Sequence, residues 1–301
     1  MGNTQATLEN NIEKSYFDRF FNIIPDLPDN RDLYYQPKKE ENNSIMDYKK
    51  EMLLIPELNI NQECNLIYNL SLIIYLYCKE SKKDIFFPYI NYTFYNSVLK
   101  KNRMENISNN SFHLSIRNCL KAINNYGLYC QKGLAINSEN IFKKPSLFFF
   151  ENAKNTMIEY QRIKKDIKSI LLAINNGNLI LFNYSIYNSF LSEKTQKTGH
   201  IFCPDNNEKM IGMNSSIIIG INEKREELII KFNSSKTFGE KGIGYMPYNY
   251  IDHNCSDLWI IDKQKIVIKK NNNNFKKENY IYVGENNYND NTQIHNKRRI
   301  I

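Results

Sequence analysis

Covalent acyl transfer needs a nucleophile with a general base within hydrogen-bond reach, and a structural metal needs closely spaced soft ligands. The 301-residue chain offers six cysteines, Cys64, Cys78, Cys119, Cys130, Cys203 and Cys255, and four histidines, His113, His200, His253 and His295. No two cysteines stand in a Cys-x-x-Cys pair and the histidines are scattered, so neither a metal nor a cofactor is expected. Cys64 stands at the start of a long apolar stretch. Its plain reading is a small buried hydrophobe at the start of a helix.

The elements that would position such groups follow from periodicity. Over residues 64–79, Leu66, Ile67, Leu70, Ile73, Ile74 and Tyr77 recur at helical spacing, and most other positions are apolar too. That pattern predicts a central helix covered on several sides. Residues 85–101 predict a second core helix, Ser115–Tyr126 a third capped by Gly127, and Thr156–Asn175 a fourth closed by Gly177. The pattern then changes: Leu179–Ser185, Ser215–Ile221 and Glu227–Phe232 are short, Ile-rich and separated by turns, so they read as strands, and no polar helix is expected after them. Helices first and sheet second imply an α+β domain of two lobes.

Three segments divide the chain. Residues 1–50 form an extended leader, broken by the turn formers Pro25, Asp26, Leu27, Pro28, Asp29 and Asn30. Residues 51–268 form the folded domain, and 269–301 a basic, Asn-rich extension in which Glu278–Gly284 could add a strand.

Composition narrows the function. The chain is 42% hydrophobic with 21 Tyr and 17 Phe, so it can bury a core rather than remain disordered. The net charge of +8 reads as a basic soluble surface. Without a zinc finger or an RNA-binding aromatic motif, no specific nucleic-acid partner is expected. Asn10, Asn11 and Glu13 interrupt any signal-like run, and Leu66–Tyr77 is too short to span a bilayer, which predicts an intracellular, reducing compartment. Gly2 is a weak myristoylation candidate, because Ala6 occupies the position that favours Ser or Thr, and membrane contact is expected only if Gly2 is acylated.

Several segments, in order, resemble the viral and microbial branch of papain-like cysteine peptidases. Pro25-Asp26-Leu27-Pro28-Asp29-Asn30-Arg31-Asp32 is similar to a Pro-Asp-x-Pro-Asp-x-Arg-Asp leader. Ser115-Ile116-Arg117 and Ala122 to Gly127 are similar to a Ser-Ile-Arg stretch and its following helix. Tyr187-Asn188-Ser189-Phe190 with Thr198-Gly199, then Gly242–Tyr250, then Ser256-Asp257-Leu258-Trp259 complete the likeness over roughly residues 23 to 261. The resemblance implies a papain-like two-lobed fold, with an N-terminal helical lobe around a central helix and a C-terminal antiparallel sheet lobe.

Active members carry Gln-Gly-x-x-Gly-Ser-Cys where this chain reads Gln62-Glu63-Cys64-Asn65-Leu66-Ile67-Tyr68. By that resemblance Gln62 keeps the oxyanion position, while Tyr68 takes the place of the nucleophile. Counting back from Gly220 puts Asn214 at the histidine position, and Asn233 keeps the place of the orienting asparagine. A phenol is protonated near neutral pH, and an amide does not act as a general base there. The expectation is a non-catalytic protein with a structural, assembly or binding role, a protein or peptide partner in the former substrate groove, and a setting in a virion or an infected-cell cytoplasm. The alternatives are a weak peptidase using Cys64 as a relocated nucleophile, a decoy for the partners of an active relative, and a myristoylated membrane-peripheral protein.

Overall fold

The computed structural model describes residues 23–36, 48–55, 64–81, 87–102, 113–131, 143–153, 156–232 and 238–268. A short helix α1 (Tyr48–Leu54) precedes the central helix α2 (Asn65–Glu80), in which every residue from Asn65 to Cys78 except Tyr75 is buried. This all-round burial is what its nearly continuous apolar sequence demands. The Tyr77 hydroxyl accepts a hydrogen bond from the Leu179 backbone N–H at 2.6 Å, tying the helix to the start of the sheet. Helix α1 runs across residues 50 and 51 and plants Tyr48 in the core, its hydroxyl donating to Glu80 at 2.9 Å.

The helix expected over 85–101 is preceded by a two-residue strand, β1 (Phe87–Pro88), and begins as α3 (Ile90–Asn102). Pro88 has no N–H to give, and it pushes the residue before it to an extended conformation. Helix α4 (Ile116–Tyr126) lies as expected: Ser115 caps its start by accepting from Asn118 N–H, and Gly127, at φ 74°, closes its end. Strand β2 (Cys130–Gln131) pairs with β1, and a six-residue helix α5 (Leu147–Asn152) follows.

The helix expected over Thr156–Asn175 is a correction. Only its last part is helical, as α6 (Ile167–Asn175), while β3 (Thr156–Met157) and β4 (Tyr160–Arg162) occupy its first half. Asp166 marks the true start, since its carboxylate accepts from Ser169 N–H at 2.7 Å. The upstream residues are captured by distant strand partners, Met157 by Val267 and Tyr160 by Ile261, which overrides local periodicity.

Strand β5 (Ile180–Tyr187) leads through helix α7 (Glu193–Thr198) to the 13-residue β6 (Met210–Asn222), then β7 (Glu227–Lys231) and β8 (Ile243–Pro247). Helix α8 (Asn249–Asn254), β9 (Cys255–Ile261) and β10 (Val267–Ile268) complete the described chain. Polar helices thus do return after the first strands, as α7 and α8, each only six residues long. Strands β4-β9-β5-β6-β7-β8 form one six-stranded sheet in that order, antiparallel throughout.

Alternation along the strands divides the core. Leu181, Ile217, Ile219 and Trp259 face the helical lobe and pack with α2, while Phe182, Tyr184, Ile218, Leu228 and Ile230 fill a second core with α6 and α8. Between α7 and β8 the backbones touch. A Cβ at Gly199 would meet Ile243 O at 2.7 Å, and one at Gly239 would meet the same oxygen at 2.3 Å, so both places require glycine. All described residues belong to one compact unit ending at Lys270, and the strand expected over Glu278–Gly284 lies outside the described residues.

Candidate active centre

The start of α2 abuts β6. Cys64 occupies the N-cap position, outside the helical dihedrals and only 1% exposed. One residue on, the Asn65 side-chain amide donates to Asn214 Oδ1 at 2.6 Å and to Ser215 O at 3.0 Å. One turn further, Asn69 donates to the same Ser215 carbonyl at 2.9 Å. The face of α2 that meets β6 therefore carries two asparagines four residues apart, the spacing that stacks side chains along a helix.

Of the residues singled out from sequence, the structure brings Asn214 to the start of the central helix, where its partner is Asn65. Tyr68 lies one turn along and packs on Phe87, with ring centroids 5.7 Å apart and 3% exposure. Gln62 and Asn233 lie outside the described residues. Sequence reasoning passed over Asn65 and Asn69, although two amides at i and i+4 in a mostly apolar helix were the available signal.

The centre is sealed and incompletely bonded. Asn65 Oδ1, Asn214 Nδ2, Ser215 Oγ and both polar side-chain atoms of Asn183 have no hydrogen-bond partner among the described residues. Asn183 sits opposite Ser215 on the neighbouring strand. Asn65 is 5% exposed and Asn214 3%. The described histidines are held elsewhere. His200 pairs with Glu227 at 2.9 Å and stacks on Tyr245, while His113 and His253 are exposed. Burial also pushes the Cys119 thiol up to about 12, with a smaller opposing pull from a Ser97 hydrogen bond, which leaves that thiol un-ionised near neutral pH. Among the described residues no group of His, Cys, Asp or Glu is placed to hold a metal ion, and no described helix is long and apolar enough to cross a membrane.

A second polar cluster is built differently. Asp26 accepts from Arg117 N–H at 3.2 Å and from Trp259 Nε1 at 3.0 Å, and its own N–H donates to Asp257 Oδ2 at 3.0 Å. Arg117 forks onto both Asp32 oxygens and donates to Leu27 O at 2.6 Å. Arg162 bridges Asp32 at 3.1 Å and Asp257 at 2.8 Å, and both guanidinium carbons lie 5.6 Å from the Trp259 ring centre. Burial, with Asp26 beside it, pushes the Asp257 carboxyl above its ordinary value, against hydrogen bonds from the Asp26 backbone and Ser256 and the charge of Arg162. The leader, α4, β4 and β9 are fastened together here. A cavity of 340 Å³ opens beside the cluster, lined in part by Asp29, Leu33, Lys121 and Tyr160.

A helical lobe around a buried central helix, set against an antiparallel sheet lobe, is the papain-like cysteine-protease fold. Xylellain, a cysteine protease from Xylella fastidiosa, superposes with a TM-score of 0.66 over 80% of this chain and 95% of that one, at 22% identity. The digestive procathepsin L 3 of Tenebrio molitor larval midgut matches with a TM-score of 0.57, 12% identity, 82% of this chain and 77% of that one. An uncharacterized peptidase C1-like protein of Acanthamoeba polyphaga mimivirus is 28% identical over 282 residues, 84% of this chain and 89% of that protein. No protein-family model matches the chain.

Proposed function

We propose that the protein is a catalytically silent member of the papain-like superfamily, acting in assembly or in binding a protein or peptide. One observation carries the reading: Asn214, the residue that the resemblance sets at the histidine position, is closed onto the Asn65 amide inside the protein. Neither amide ionises near neutral pH, so the pair supplies neither nucleophile nor general base. The mimivirus relative supports a viral setting, whether virion or infected-cell cytoplasm. Incubation of the purified protein with a diverse peptide library, followed by mass spectrometry of free and retained peptides, tests the reading. Peptides recovered intact are expected, and reproducible cleavage at a preferred sequence would refute it.

A second reading rests on Cys64. It sits at the N-terminus of a 16-residue helix, where aligned peptide dipoles favour a thiolate. A peptidase built on it would still need a base, and each described histidine is placed elsewhere. A myristoylated, membrane-peripheral role is the remaining alternative, and Gly2 lies outside the described residues.

A further inference from the structure

Helix α5 departs from the rule that apolar residues go inside. Its sequence is Leu-Phe-Phe-Phe-Glu-Asn, yet none of its six residues is buried. Two of the rings turn inward and hold the helix in place. Phe149 stacks on Tyr89 with centroids 5.0 Å apart and meets Tyr129 edge-on at 4.8 Å, and Phe150 meets Tyr92 at 5.2 Å. Leu147 is 70% exposed, and Phe148 stays 44% exposed although its ring also meets those of Tyr129 and Phe149, with centroids 5.8 Å apart in each case. Lys143 and Lys144, both exposed, stand just before the helix, and among the described residues neither pairs with a carboxylate. Glu151 is the one acidic side chain on the helix itself.

We propose that this knob docks on an anionic lipid surface, with Leu147 and Phe148 entering the headgroup–acyl boundary and Lys143 and Lys144 meeting lipid phosphates. Aromatic and aliphatic side chains beside lysines are the chemistry such a boundary rewards, with apolar area sinking below the headgroups and positive charge held by the surface potential. Size and the neighbouring lysines favour an anionic bilayer over a protein. A specific protein interface buries about 800 Å² on each side. Leu147 and the exposed part of Phe148, on a six-residue helix, offer far less than that. The inward rings fix the helix beforehand, so little ordering is left to be done on contact. The contact does not depend on acylation of Gly2.

The test uses the full, unacylated chain sedimented with phosphatidylcholine vesicles, with and without phosphatidylserine. Binding is expected to the phosphatidylserine vesicles, weakened by salt and roughly tenfold poorer without the anionic lipid. Joint Leu147→Ser and Phe148→Ser substitution should lower it by roughly tenfold or more, and joint Lys143→Glu and Lys144→Glu substitution should weaken binding at low salt and lessen its salt dependence. Phe148→Trp gives a reading independent of any folding defect, since its emission should shift to the blue on adding anionic vesicles. Failure to bind these vesicles, binding that survives Leu147→Ser with Phe148→Ser, or an unshifted Phe148→Trp spectrum would each overturn the proposal. So would size-exclusion data in which the Leu147→Ser and Phe148→Ser changes merely disperse a dimer.

Discussion

Two buried polar regions lie between the same two lobes and are built to opposite standards. At the leader cluster, three carboxylates face two guanidinium groups, and each charged side chain meets a partner from another part of the chain. At the start of the central helix, five buried polar atoms of Asn65, Asn183, Asn214 and Ser215 go without a partner among the described residues. Buried polar atoms left unbonded cost about 1–3 kcal/mol each, so the second region is tolerated rather than optimised for stability. The comparison teaches that charges are fully paired where the leader is fastened, while amide and hydroxyl atoms are left unbonded where the central helix meets β6.

The contrast breaks most visibly at Arg117. Arg117→Met should leave Asp32 without one of its two guanidinium partners and Leu27 O without its donor, keep the backbone bond to Asp26, and lower stability by roughly 3–5 kcal/mol in urea denaturation, as removal of one member of a buried ion network does. A loss below about 1 kcal/mol, the range of surface ion pairs, would show that the cluster does not fasten the leader. The opposite sign is expected at the other region. Asn183→Leu removes an unbonded donor and acceptor in a fully buried place and should raise stability by about 1–2 kcal/mol. A clear loss would mean that ordered water satisfies Asn183.

The smallest effect concerns pH. Because the folded protein holds the Asp257 carboxyl above the ordinary 3.8, charging it is harder in the folded state than in the unfolded chain. Its contribution is therefore most favourable below the unfolded value and declines as pH rises through the folded one. Relative to Asp257→Asn, the wild type should lose stability as pH rises across that window, which urea midpoints for both proteins between mildly acidic and neutral pH will measure. A gap that widens in favour of the wild type as pH rises would reverse the assignment.

The central helix and the three Ile-rich strands were legible because each carries its own periodicity. Strands β8 and β9 lie in segments that the sequence marked only by resemblance, and β3 and β4 were hidden inside an expected helix because their partners are about a hundred residues away. The leader motif, the Ser-Ile-Arg stretch and the Ser-Asp-Leu-Trp stretch were each visible, but nothing in one dimension says that Asp26, Arg117, Asp257 and Trp259 meet at one point. The centre was partly legible. Counting along the strand led to Asn214, whereas counting from Gln62 led to Tyr68, and the residue that touches Asn214 is Asn65. A motif count measures residues and is blind to where the helix begins, which here is directly after Cys64.

The central claim is catalytic silence, and the most direct measurement is the reaction of the wild-type protein with an epoxide probe for active cysteine peptidases, read by intact mass alongside turnover of a fluorogenic peptide set. The account predicts no probe adduct and no turnover above a heat-denatured control. A stoichiometric adduct on Cys64, together with turnover that vanishes in Cys64→Ala, would contradict it and make Cys64 a working nucleophile.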